Sequence, residues 1–288
     1  MTASRVPSAR GRRTSSVRVV DLNEDTTKLL SDISQNLKRL DLSNLHLVKL
    51  EEDFISQMKA LERLDIGHNE MSEDAFPSNF RHLDCLIELS AQYNQLSVVP
   101  RPVKKLKNLI RLKLTGNKIS GLEGVERLKK LQVLVVDENN IQTIPKELLN
   151  NVKRLELLHC GSNMIKEMPS EIRLMRYLKD LDISNNKLTS LPPEILVLPR
   201  LEMLCAAGNQ ISRIPTINFP EHLVFMTDHL DLSYNAIKII PATFIHKLDW
   251  KSDNDLILNG NPLSVPPLDV AECGIRAVMQ FFQEVKSE

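Results

Sequence analysis

The chain has 288 residues, 42% of them hydrophobic and 26% charged, with 37 Lys and Arg balancing 37 Asp and Glu. A balance this even gives no global field that would gather nucleic acid or a membrane surface. No apolar run reaches the length of a membrane span, and the N-terminus lacks the apolar core of a secretory signal.

Residues 1–16 hold four arginines, many hydroxyls and no acid. They read as a disordered basic tail. Arg12-Arg13-Thr14-Ser15 resembles a basophilic kinase site, so Ser15 is a candidate for phosphorylation. Val17 to Leu22 alternate like a strand and would form a degenerate first coil covering the end of a stack, with a first convex turn over 28–33.

From Leu37 onward one frame recurs: L-x-x-L-x-L-x-x-N-x-L, as in Leu178-Lys-Asp-Leu181-Asp-Ile183-Ser-Asn-Asn186-Lys-Leu188. Its Asn falls at Asn69, Asn94, Asn117, Asn139, Asn163, Asn186, Asn209, Asn235 and Asn261, spaced by 22 to 26 residues. A tenth copy carries Leu45 in place of the Asn. Alternation such as Leu181-Asp-Ile183 is a short strand with one buried face. The Asn suits the turn that follows, because its amide can serve backbone groups from coil to coil. Pro100, Pro145, Pro169, Pro192, Pro215 and Pro241 then start helical or 3₁₀ turns on the far side. No coil can bury its apolar stripe alone, so stacking supplies the core.

Met71 to Phe80 is a longer convex segment with two Phe. The coil at Asn117 has no Pro and only 22 residues to the next Asn. After Pro215 the rhythm loosens: Thr227 replaces the first Leu of its frame, and the copy at Asn261 loses its first Leu too. Pro266-Pro267 lead into Val270, Gly274, Ile275, Val278 and Phe282, spaced as one amphipathic helix over 264–288 that would cap the last coil.

This frame is the leucine-rich-repeat signature. It implies an α/β repeat fold: a right-handed solenoid, or horseshoe, over 17–263, with parallel strands on the concave face and 3₁₀ or short helical turns on the convex face. Copies with Leu-Pro or Ile-Pro resemble intracellular Ras-suppressor-like and plant Ras-group-related repeat proteins. The coil at Asn117 resembles the repeats of a regulatory subunit of protein phosphatase 1. The resemblance implies a signalling scaffold that binds proteins, among them small GTPases or phosphatases.

Outward strand positions form columns on the concave face, strands stacking about 4.8 Å apart. Those of the early coils include Arg39, Asp41, Arg63, Asp65, His68, Glu88, Ser90, Gln92 and Tyr93. Val133, Val135 and Leu157 are apolar where polar side chains are expected, and Met203 with Cys205 repeats this two strands later. Arg111 and Lys113 precede the patch, and Asp137, Asp180, Asp182, Asp231 and Asp255 follow it. The candidate partner-binding residues are therefore Arg111, Lys113, Val133, Val135, Leu157, His159, Met203 and Cys205. His159 and Cys205 lie two strands apart, about 10 Å, too far for a nucleophile and its base. Cys160 points inward as a small core residue. No phosphate-cradling glycine loop or metal-spaced cluster occurs, so catalysis, cofactor and metal are not expected. Cys85, Cys160, Cys205 and Cys273 are scattered and no Asn-x-Ser/Thr sequon is present. A reduced, cytoplasmic compartment follows, and a monomer. A regulatory subunit of an enzyme and a ligand-sensing receptor ectodomain are the rival readings.

Overall fold

In each coil the L-x-x-L-x-L frame sends apolar side chains to one side of a three-residue extended segment and the intervening residues to the other. A computed structural model describes residues 16–18, 36–215, 229–245 and 256–287. Within it the chain divides into two compact units, Met1–Asn140 and Ile141–Glu288. Residues 1–15 of the tail expected over 1–16, with Ser15, lie outside the described residues, as do 19–22 of the expected first coil, the turn expected over 28–33, Thr227 and Asp255. Ser16, expected in the tail, instead begins the first strand.

The first unit holds strands β1 (Ser16–Arg18), β2 (Arg39–Asp41), β3 (Arg63–Asp65), β4 (Glu88–Ser90), β5 (Arg111–Lys113) and β6 (Val133–Val135). They pair in parallel and in sequence order. The register never slips: Leu40, Leu64, Leu89, Leu112 and Leu134 lie opposite one another and are at most 2% exposed. A slip of one residue would turn this row of leucines to the surface. Parallel neighbours need a crossover. Helix α1 (Glu52–Gln57) and 3₁₀ turns at Glu73–Ala75, Ser78–His82, Val103–Lys105 and Val125–Arg127 provide it. Phe76 and Phe80, both buried, meet edge to face at 5.2 Å in the longer coil.

The second unit holds β7 (Leu157–His159), β8 (Asp180–Asp182), β9 (Met203–Cys205), β10 (His229–Asp231) and β11 (Leu256–Ile257), again parallel and sequential. Pro145, Pro169 and Pro192 occupy the N-cap positions of α2 (Lys146–Asn151) and of the 3₁₀ turns Ser170–Leu174 and Pro193–Val197. Pro241 precedes α3 (Ala242–Ile245). The C-terminal stretch forms two helices, α4 (Leu268–Glu272) and α5 (Ile275–Ser287), where the spacing suggests one. Gly274 divides them at φ +89°, a conformation that side chains with a Cβ avoid. Ile275, Val278 and Phe282 are buried along α5, whereas Val270 on α4 is only half-buried.

The repeated asparagines are buried, at 5–8% exposure, and each joins two coils. Asn94 accepts the N–H of Met71 at 3.0 Å and donates to the carbonyls of Ile66, Ala91 and Gln92. Asn117 repeats this with Leu96 N–H and the carbonyls of Ala91, Leu114 and Thr115. In the second unit Asn186 accepts from Ile165 and donates to Cys160, Ile183 and Ser184. Buried backbone groups at a non-hydrogen-bonded turn would otherwise be orphaned.

A second column adjoins the first. Asn44, His68, Tyr93, Glu138, Ser162, Asn185 and Tyr234 have φ between 50° and 60°, and Gly116, Gly208 and Gly260 share the left-handed region. Each directly precedes the ladder position. The chain must reverse sharply there for the amide to reach carbonyls two and three residues back. Outside glycine such a backbone costs about 1–2 kcal/mol. Gly116 meets a further demand: a Cβ there would fall 2.3 Å from the Tyr93 ring.

Candidate functional site

The outward strand positions of the first unit form two columns in register. One runs Arg39, Arg63, Glu88, Arg111, Val133, and the other Asp41, Asp65, Ser90, Lys113, Val135. Glu88 lies 3.6 Å from Arg63 and 3.3 Å from Lys113, so one carboxylate ties three strands. Ser90, expected to be outward and open, is buried at 5% exposure, with Gln92 Nε2 donating to its hydroxyl at 3.1 Å. Val133 and Val135 follow Arg111 and Lys113 directly across the β5–β6 pairing. All four candidate residues are half-buried. The structure therefore brings Arg111, Lys113, Val133 and Val135 together: a cationic strand beside an apolar one.

In the second unit the columns run Leu157, Asp180, Met203, His229 and His159, Asp182, Cys205, Asp231. Leu157 and His159 on β7 are separated from Met203 and Cys205 on β9 by the two carboxylates of β8. His159 Nε2 stands 3.0 Å from Asp180 Oδ2, a pairing that the alternation alone does not reveal. Met203 is 43% exposed. Burial pushes the Cys205 thiol up to about 11, and the Asp182 and Asp231 carboxylates push in the same direction. Such a thiol stays protonated at neutral pH and behaves as an apolar contact group. Cys160 is fully buried, as its inward position requires. The sequence patch joined Val133 and Val135 to Leu157; the valines belong to the first unit and Leu157 to the second.

The left-handed column adds functional groups that strand alternation misplaces. His68 and Tyr93 stack with ring centroids 4.6 Å apart and planes at 21°. Tyr93 stays 42% exposed, and Tyr234 in the second unit 65%. Both tyrosine rings lie over a glycine of the following coil, Gly116 and Gly260. Glycine at the same frame position in neighbouring coils was the available signal. Exposed, pre-ordered tyrosines suit protein recognition because they offer large contact area at little entropic cost.

Among the described residues, no group of three or more His, Cys, Asp or Glu is placed to hold a metal ion. His159 and Cys205 occupy β7 and β9 with β8 between them, about 10 Å apart at ordinary strand spacing. That separation does not make a nucleophile and base. Among the described residues, no helix is long and apolar enough to cross a membrane.

Family profiles for the leucine-rich repeat match residues 35–96 and 177–198. The volume-regulated anion channel subunit LRRC8D of Rattus norvegicus is 31% identical over 248 residues, which cover 80% of this chain and 28% of the channel subunit. Lumican of Mus musculus is 28% identical over 275 residues, covering 84% of this chain and 78% of lumican. Further curated relatives are matched over only 4% to 40% of their own length. Among solved structures, a leucine-rich-repeat protein of Leptospira interrogans superposes with a TM-score of 0.67 at 28% identity, covering 84% of this chain and 64% of that one. The repeat frame, the asparagine ladder and these likenesses together make the chain a leucine-rich-repeat protein.

Proposed function

We propose that this chain is a non-catalytic scaffold that binds a protein partner on its outward strand face. One observation carries the reading. Val133 and Val135 present apolar side chains in register with Arg111 and Lys113, at positions where earlier coils present charge. A half-exposed apolar strand flanked by a cationic one would supply contact area and orient the partner by charge. Leu157, His159, Met203 and Cys205 are the candidate contacts on the strand face of the second unit, taken by itself. This reading takes the cytoplasm as the compartment, on four cysteines scattered along the sequence and the lack of an Asn-x-Ser/Thr sequon. The chain would act there as a monomer in signalling, in the manner of Ras-suppressor-like repeat proteins, with a small GTPase or a phosphatase as partner. α4 and α5 would close the end of the repeat stack, since α5 buries Ile275, Val278 and Phe282.

The test is affinity capture of purified candidate GTPases and phosphatases by wild type, Val135→Asp and Leu157→Asp. Each substitution is expected to reduce capture at least tenfold, the scale of losing a central interface contact. Equal capture by all three proteins overturns the strand-face assignment. Control of an enzyme by this chain would be read as a change in phosphatase rate on mixing. Recovery of a secreted, glycosylated form would overturn the cytoplasmic assignment.

A further inference from the structure

The charge balance of the whole chain conceals a local imbalance. Residues 81–130 carry eleven Lys and Arg against four Asp and Glu, whereas 36–80 carry five against nine. Lys113 is tied to Glu88, and Arg111 sits beside it on the strand face. Most of the remaining excess lies opposite, in three successive turns. Arg81 is in the 3₁₀ turn Ser78–His82, Arg101 and Lys105 accompany Val103–Lys105, and Arg127 ends Val125–Arg127. These turns pack against one another in order.

A recess of about 580 Å³ opens to solvent between the first two turns. Arg81, Arg101 and Lys105 line it beside the apolar surface of Val98 and Pro102. Val98 is 41% exposed there. Among the described residues, none of the three cations has a carboxylate within 4 Å; Arg81 Nε contacts His82 Nε2. Two acids also border the recess, Glu73 and Asp74. Glu73 is already engaged, its oxygens accepting the Ser97 hydroxyl at 2.8 Å and the Ser97 N–H at 3.2 Å. Lys104, whose stem crosses Gly124, has its pKa shifted down chiefly by its own burial; Glu123 and Glu126 oppose the shift, and Arg127 and Arg101 add to it.

We infer that this turn face docks an acidic polypeptide segment, whose carboxylates pair with Arg81, Arg101 and Lys105 and whose apolar side chain enters the recess over Val98 and Pro102. Three cations with no carboxylate within 4 Å outnumber the two bordering acids, and with the apolar floor they match alternating acidic and apolar side chains. A single-stranded nucleic acid would need exposed aromatic rings for its bases. Phe76, the one aromatic lining residue, is buried at 5% exposure. A flat anionic bilayer cannot enter a recess, whereas a side chain of a polypeptide can. This surface lies on the opposite side of the unit from the strand face and does not depend on it.

The experiment uses the full chain and a fluorescent synthetic peptide of alternating Glu and Leu, read by anisotropy. Binding is expected to weaken with salt, as exposed charge pairs do. The triple variant Arg81→Glu, Arg101→Glu, Lys105→Glu should lose at least about tenfold in affinity. Val98→Asp should weaken binding several-fold, and the control Lys166→Glu, Lys187→Glu, on exposed residues of the second unit, should leave it unchanged. Unchanged far-UV circular dichroism would show that the variants fold. Equal binding by wild type and the triple variant overturns the proposal. So does equal affinity for a Gln–Leu peptide, or tighter binding of polyuridylate or phosphatidylserine vesicles than of the Glu–Leu peptide.

Discussion

Replacing Asn117 with leucine removes one rung of the ladder while keeping the number and branching of the side-chain heavy atoms. Four consequences can be counted from the structure. The Leu96 N–H loses Asn117 Oδ1, its acceptor at 3.1 Å. The Ala91 carbonyl falls back on Asn94 alone, the Leu114 carbonyl on Asn139 alone, and the Thr115 carbonyl on the Tyr93 N–H. A buried donor left without a partner costs about 1–3 kcal/mol, and each hydrogen bond lost from a still-satisfied carbonyl about 0.5–1.5 kcal/mol. The expected loss is about 2.5–7.5 kcal/mol. With a urea dependence near 3 kcal/mol per molar, the unfolding midpoint should fall by about 1–2.5 M. Asn117→Asp keeps the acceptor but turns a charged oxygen toward carbonyls. It should be at least as damaging at neutral pH. Its carboxyl would have a raised folded pKa, so the protonated form is the stabilised one and the loss shrinks as pH falls through that value. Equilibrium urea unfolding followed by circular dichroism reads both. A loss below about 0.5 kcal/mol for Asn117→Leu would refute the view that these amides hold coil to coil.

Gly116→Ala should destabilise by more than the roughly 1–2 kcal/mol of its left-handed backbone, because of the clash with Tyr93; in a Tyr93→Ala background the cost should drop to the backbone part, measured as a double-mutant cycle. Phe80→Ala, at a fully buried site packed on Phe76, should cost about 3–5 kcal/mol by the same urea assay. Cys205, with its thiol pushed up to about 11, should alkylate with iodoacetamide far more slowly at neutral pH than exposed Cys85, and Asp182→Asn should speed it. Its linkage to stability has a definite sign: the folded thiol keeps its proton above the ordinary value of 9.0, so this contribution is present below pH 9 and is lost as pH rises from 9 toward 11. Glu73 titrates low because of hydrogen bonds from its own backbone and from Ser97, so Ser97→Ala should raise its pKa, read by carbon-detected NMR.

The inward half of the fold is legible residue by residue. Leu178, Leu181, Ile183 and Leu188 are all fully buried, as their frame positions require, because period-2 alternation and close packing act on every coil alike. The ladder is legible for the same reason: only an amide both donates and accepts at that turn. The left-handed column is not visible to side-chain periodicity. It follows from backbone reversal, so His68, Tyr93, Asn185 and Tyr234 look like ordinary outward residues until Gly116, Gly208 and Gly260 are noticed at the same position. The candidate surface was legible as a set of addresses but not as a set of partners. Nothing in the spacing says that Glu88 reaches Lys113, that His159 meets Asp180, or that Ser90 is covered. These depend on long side chains crossing strands, which a column count does not place. The cationic turn face escaped the strand-based reading altogether, since whole-chain charge cancels it.

The asparagine ladder also has a direction. Every amide reaches toward the coil before it: Asn94 serves the N–H of Met71, and Asn186 that of Ile165. Each coil therefore leaves one buried N–H in the keeping of its successor. Stripping a coil from the front of such a stack exposes an asparagine side chain, which water can serve in place. Stripping one from the back uncovers a backbone donor whose acceptor has gone. Shortened forms cut from the front should thus hold together better than equal cuts from the back. Any graft that ends the stack must bring its own acceptor to that N–H.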